Sequence, residues 1–150
     1  MSKKTQITVQ CRALKYRVNT ALIGRIAVRV LTDVGGARKI PLEILFVDDR
    51  DMLRLNKRFK GRDGTTDVLS FGLGEIGSIA ISLDTASRNA KAFGTLLHEE
   101  AVRYVIHGIL HLFGYDDDTK HKRSKMAAEE DRILRFLCEK TTLSKALTRR

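Results

Sequence analysis

The 150 residues suit one domain built around one hydrophobic core. With 43% hydrophobic and 31% charged residues, the composition excludes a disordered or fibrous chain, and no apolar run is long enough to span a membrane. A net charge of +10 points to a polyanionic partner, nucleic acid ahead of an anionic membrane surface.

The elements follow in chain order. "ITVQC" alternates apolar and polar residues and reads as a strand over about 6 to 11. In "NTALIGRIAVRVLTDVGG" the apolar positions 22, 23, 26, 27, 30 and 31 have helical spacing. Asn19 or Thr20 can cap the start, and Gly35–Gly36 can end it. "IPLEILFVDD" sets Ile40, Leu42, Ile44 and Phe46 on one side of a strand. "DRDMLRLNKRFKG" is a short helix with acids at its start, bases at its end and Gly61 as its stop. "TTDVLSF" and "GSIAISL" are two short strands around a glycine-rich turn. Helical pattern resumes at Asp84, breaks at Gly94, continues from about 96 to 113 and stops at Gly114. A last helix covers about 122 to 139. The order β-α-β-α-β-β-α-α-α predicts an α+β fold, a small mixed sheet flanked by helices, in a single domain over 1–150. Cys11 and Cys138 match no metal spacing and read as reduced thiols of a cytoplasmic protein, and the basic N-terminus has no apolar stretch to suggest export.

The stretch "HGILHLFGYDDD", residues 107 to 118, carries the chemistry. His107 and His111 stand four apart in a helical segment, so their side chains share one face, about 5–6 Å apart at Cβ. Two imidazoles so placed can share one zinc ion. Gly114 allows a sharp reversal, after which the chain can return a third ligand. The spacing is H-x3-H-x2-G-x2-D, close to the zinc-protease pattern H-E-x-x-H-x-x-G-x-x-H. Here Gly108 replaces the glutamate and Asp117 the third histidine. The bland alternative, two hydrogen-bonded helix histidines, explains the pair but not the glycine and the acidic cluster at the matching offsets. Gly108 removes the glutamate that takes a proton from water in zinc peptidases, and it is expected to leave room beside the metal for a bulkier substrate such as a phosphodiester.

These residues carry a family resemblance. "HGILHLFGYDD" resembles the YbeY signature H-G-x-L-H-L-x-G-Y-D-H, and "LNKRFKGRDGTTDVLSFGL" resembles its hallmark L-N-x-x-Y-R-G-K-D-x-x-T-D-V-L-S-F. "GSIAISL" is similar to its G-D-I-x-I-S strand, and Glu100 and "KMAAEEDRIL" also fit, so the likeness runs over roughly residues 40 to 137. The resemblance implies a zinc-dependent, single-strand-specific endoribonuclease with one ion per chain. It further implies a role in maturing the 3′ end of small-subunit ribosomal RNA and in ribosome quality control, with that RNA and the small subunit as partners. The metal helix would lie in the core, as in zinc proteases. The chain departs from the pattern at Asp117, where histidine is usual; at Lys60, which keeps a cation but loses arginine's bidentate fork; and at Ser78, where aspartate is usual.

The expected metal ligands are therefore His107, His111 and Asp117. His121 is a rival third ligand, and Asp116 or Asp118 could orient a ligand histidine. Lys57, Arg58, Lys60 and Arg62 form a basic run at a helix end, readable as a solvated face or as an RNA contact, with Lys60 the residue expected to hold phosphate at the site. Phe59 and Met126 read as core, His98 as surface, and Asp67 as a turn or cap contact. Two rival functions are a metallopeptidase, which Gly108 and the basic charge oppose, and a non-catalytic zinc-containing ribosome-assembly factor.

Overall fold

The computed structural model describes residues 6–36, 40–60, 68–73 and 76–150, with the side chains of residues 59, 60 and 68–73 left outside the description. The elements are β1 (Ile7–Cys11), β2 (Tyr16–Val18), α1 (Thr20–Gly35), β3 (Leu42–Val47), α2 (Asp49–Lys60), β4 (Val68–Leu73), β5 (Ile76–Ser82), α3 (Leu83–Phe93), α4 (Leu97–Leu112), α5 (Lys120–Lys140), a 3₁₀ turn at Leu143–Lys145, and β6 (Leu147–Arg149). β1, β3, β5 and β4 lie in that order in one mixed sheet. β1 and β5 run parallel to β3, and β4 is antiparallel to β5 at the edge. The predicted α+β class and its small mixed sheet are what the chain adopts.

Alternation along β3 decides which layer packs where. Leu42, Ile44 and Phe46 are buried on one face with Ile79 and Ile81 of β5, under α1 and α4. Leu45, Val47 and Ala80 point the other way and meet Met52 and Leu55 of α2. The sheet thus has α1 and α4 on one side and α2 on the other. α1 buries Leu22, Ile23, Ile26, Ala27, Val30 and Leu31, the predicted stripe, and the Asn19 side chain accepts the Leu22 N–H at 3.1 Å as its cap. Each large apolar side chain so buried contributes about 1.5–3 kcal/mol.

The junction of α2 and α3 is polar. The Asp49 carboxylate, in the first turn of α2, accepts from Ser82 Oγ at 2.9 Å and Thr85 Oγ1 at 3.1 Å, and from both Arg88 nitrogens at 2.6 and 3.2 Å. The Arg88 guanidinium holds the Asp49 carboxyl below its ordinary value. Asp84 accepts the Tyr16 hydroxyl at 3.0 Å and the Asp49 N–H at 3.0 Å, which ties β2 to the same corner. β2 itself pairs with β6 in a two-stranded antiparallel sheet, Tyr16 opposite Arg149.

α4 is the centre of the molecule. Nine of its sixteen residues are buried, because it lies on β4 and β5 while α1, α3 and α5 pack around it. A helix enclosed this way is apolar nearly all round, and its polar positions become informative. Among the described residues, no helix is long and apolar enough to cross a membrane.

Candidate metal centre and the cavity beside it

His107 and His111 sit one turn apart near the C-terminal end of α4, both half-buried. His107 Nδ1 lies 3.3 Å from Glu130 Oε2 of α5. His111 Nδ1 lies 3.0 Å from the Tyr115 carbonyl oxygen. A carbonyl or carboxylate oxygen accepts, so each Nδ1 donates its N–H and, in the neutral ring, Nε2 carries the lone pair. Metal-binding histidines are held in this way, with the far nitrogen donating to a carboxylate or backbone carbonyl that fixes ring and tautomer.

The turn after α4 explains how Tyr115 reaches back. Gly114 takes φ 96°, a backbone that costs glycine little. The Gly114 N–H bonds the His111 carbonyl at 3.1 Å and the Tyr115 N–H bonds the Leu110 carbonyl at 3.1 Å. This pair of bonds is the Schellman reversal. It folds residue 115 over the last turn and sets its carbonyl against His111. The sequence-predicted stop at Gly114 therefore also positions a site histidine.

Beyond the turn, the exposed Asp117 and His107 line one cavity of about 470 Å³, together with Glu130, Met126 and Arg123 of α5. Its far wall comes from Asn89 and Phe93 of α3 and from Glu100, Arg103 and Tyr104 of α4, with Asp131 of α5 beside them. Arg123 Nη1 donates to the Asp117 carbonyl at 3.1 Å and holds that segment in place. A second cavity, about 390 Å³, is lined by Phe113, Gly114, Tyr115, Asp116, Lys122 and Lys125. His111 lines neither. Among the described residues, no three His, Cys, Asp or Glu side chains converge closely enough to hold a metal ion. The structure thus gives each histidine a partner at Nδ1 and places Asp117 in the lining of the cavity that His107 borders.

Asp118 pairs with Lys122 at 3.2 Å, and Asp116 and His121 are exposed. The residue that orients a histidine is Glu130, not Asp116 or Asp118. It stands twenty-three positions beyond His107, in mid-helix, 9% exposed. Its signal in the sequence is an acid buried in the "MAAEED" stretch, visible only once α5 is known to face α4. Met126 is core, as expected, at 1% exposure.

Gly108 requires a correction. It does not open space beside the histidines. A Cβ there would lie 2.8 Å from Ile79 Cγ2 and 2.9 Å from Ile79 Cδ1. The glycine lets α4 sit closely on β5, and a glutamate in its place would be driven into the sheet.

The described part of the basic run lies apart from this. Lys57 and Arg58 are exposed on α2, across the sheet from α4. Lys60 closes α2, while the Lys60 and Phe59 side chains, Arg62, Gly61 and Asp67 lie outside the described residues. Ser78 is buried on the α2 side of β5, where its hydroxyl donates to Glu43 Oε2 at 3.4 Å.

Comparison with known proteins gives a concordant result. A family model described as Endoribonuclease YbeY matches residues 6–138. The Endoribonuclease YbeY of Aquifex aeolicus is 34% identical over 154 residues, covering 97% of this chain and 98% of that protein. That of Chlorobium phaeovibrioides is 37% identical over 115 residues, covering 74% and 78%. That of Myxococcus xanthus is 39% identical over 128 residues, but this chain spans only 44% of its length. In three dimensions the fold is similar to the solution structure of TM1509 from Thermotoga maritima, with a TM-score of 0.61 and 23% identity over 90% of this chain and 93% of that one. A family model that matches residues 6–138 and a 34% identical relative covered almost end to end place this chain in the endoribonuclease YbeY family.

Proposed function

We propose that the chain is a zinc-dependent endoribonuclease that cuts single-stranded RNA in the cytoplasm, as one domain binding one ion. Its substrate is the precursor of small-subunit ribosomal RNA at its 3′ end, with a further part in ribosome quality control. The observation that carries the chemistry is the pair of α4 imidazoles, each locked by its Nδ1 partner so that Nε2 holds the lone pair. The relatives' name supplies the reaction class, and the resemblance of the sequence motifs supplies the ribosomal setting.

The chemistry of these donors suits zinc, although among the described residues the three do not converge closely enough to hold it. Two neutral imidazoles and a carboxylate are ordinary ligands for it, and three protein donors are what catalytic sites use. His107 and His111 would hold the ion, with Asp117 as third donor and His121 as its rival. Bound there, zinc supplies a Lewis acid that stabilises charge on phosphodiester oxygens. The chain's own residues do the rest. Glu130 and the Tyr115 carbonyl keep the imidazole protons on Nδ1, and Arg123 restrains the backbone at Asp117. Lys57, Arg58, Lys60 and Arg62 are proposed to hold flanking phosphates along the strand. Peptide hydrolysis is disfavoured, since position 108 cannot carry the glutamate base without displacing Ile79.

The test is elemental analysis combined with cleavage of single-stranded RNA. The purified protein should carry about one zinc per chain, and chelation should abolish cleavage. His107→Ala and His111→Ala should lose both metal and activity. Asp117→Ala should lose metal, whereas Asp117→His should retain it. Cleavage that survives both chelation and His111→Ala, or chelator-sensitive digestion of casein, would overturn the proposal.

A further inference from the structure

Phe93 ends α3 and is 70% exposed. It falls one turn beyond Ala90 on the stripe that α3 buries through Leu83, Ala86, Ser87 and Ala90. Helical spacing would carry it into the core. Instead its ring borders the open cavity that reaches His107.

The charge of that cavity is unusual for a chain of net charge +10. Four carboxylates line it, from Glu100, Asp117, Glu130 and Asp131, against two guanidinium groups. Arg103 is already paired with Asp131 at 2.7 Å. Such a wall is rich in acceptors and suits a flat, neutral, hydrogen-bonding group. Asn89 and Tyr104, joined at 2.6 Å, add an amide and a hydroxyl to the same wall. Both are groups that bond base edges. The volume of about 470 Å³ lies within the roughly 300–1,000 Å³ of ligand pockets. The second cavity, at the Gly114 turn, is lined by Lys122 and Lys125 with Asp116, Lys122 being paired with Asp118.

The geometry points to a nucleobase pocket: one unpaired base of the RNA stacks on Phe93 beside His107, while the adjoining phosphates pass over Lys122 and Lys125. This rests on the RNA-cleaving function proposed above and gives it a specificity element. A base can reach Phe93 only by leaving its helix, so duplex RNA is excluded at this step. Single-strand binding of this kind, an aromatic platform joined to a cationic track, tolerates any sequence because every base has a stacking face.

The chain contains no tryptophan, so Phe93→Trp places a single fluorophore at the platform. Titration with a short single-stranded RNA should quench its fluorescence. The duplex of the same sequence, and a strand of matched charge whose bases are removed, should leave it unchanged. Phe93→Ala should weaken single-strand binding roughly 10-fold, toward the low end of one base–aromatic stack, and Phe93→Tyr should restore it. Labelled-RNA anisotropy reports binding independently of position 93. Binding by anisotropy without quenching, or equal quenching by the base-free strand, would overturn the pocket while leaving the RNA-cleaving function intact. Normal quenching without any chelator-sensitive cleavage would sustain the pocket and remove the function.

Discussion

Gly108→Ala tests how closely α4 must lie on the sheet. The added methyl would sit 2.8, 2.9 and 3.1 Å from three carbons of Ile79. Comfortable carbon contacts lie at about 3.5–4.0 Å, so the helix and strand must part by about 0.7 Å. Rotation of Ile79 gives little relief, because its two γ carbons branch from the same Cβ and the residue is 1% exposed. Overpacking of this kind costs about 1–3 kcal/mol. Against it stands the gain of about 1 kcal/mol when alanine replaces glycine inside a helix. The balance predicts a net loss of up to about 2 kcal/mol, read as a lower urea midpoint at unchanged slope. The sign should reverse in an Ile79→Ala background, where the clashing carbons are gone and only the helix gain remains. A stabilised Gly108→Ala single variant, or strict additivity of the two substitutions, would refute the close-packing account of this glycine.

Glu130→Ala should weaken zinc binding by about 10–100-fold through the loss of the His107 anchor, while Glu130→Gln recovers part of it, since an amide oxygen still accepts from Nδ1. Isothermal titration that finds all three proteins equal would remove Glu130 from the site. Asp49→Asn should cost about 1 kcal/mol at neutral pH, the scale of a partly exposed charged contact. The folded carboxyl lies below its ordinary value of 3.8, so its contribution is full above that pH and fades as the pH falls through the lower folded value. Urea unfolding should therefore find the two proteins converging in acid, and a gap that stays constant from pH 7 to 3 would contradict the Arg88 pairing.

What the sequence revealed was short-range. The Asn19 cap, the apolar stripe of α1, the i, i+4 histidines and the Gly114 stop each depend on neighbours within a turn or two, and each is present as read. What it hid was long-range. β2 and β6 are three residues each, too short for a period, and they pair from opposite ends of the described chain. Glu130 gains meaning only when α5 packs on α4. Gly108 was legible as a glycine beside a histidine, but its reason lies in Ile79 of a strand far away in sequence. Phe93 follows the apolar stripe of its helix, and only the cavity beside it shows that the stripe ends in open space.

The two imidazoles and the carboxylate of Asp117 belong to parts of the molecule with different freedom. The imidazoles are borne by a helix enclosed by sheet and helices, so their separation can vary only as far as the core does. Asp117 stands on a short exposed segment between Gly114 and the Thr119 cap of α5. Ordering a backbone residue costs about 1–2 kcal/mol, and for this site that cost falls almost wholly on the few residues of that segment. With Asp117 as the third donor proposed above, changes there would tune metal affinity without disturbing the fold, whereas changes under the histidines must be absorbed by the whole protein. Affinity and architecture are thereby separated along ten residues of chain.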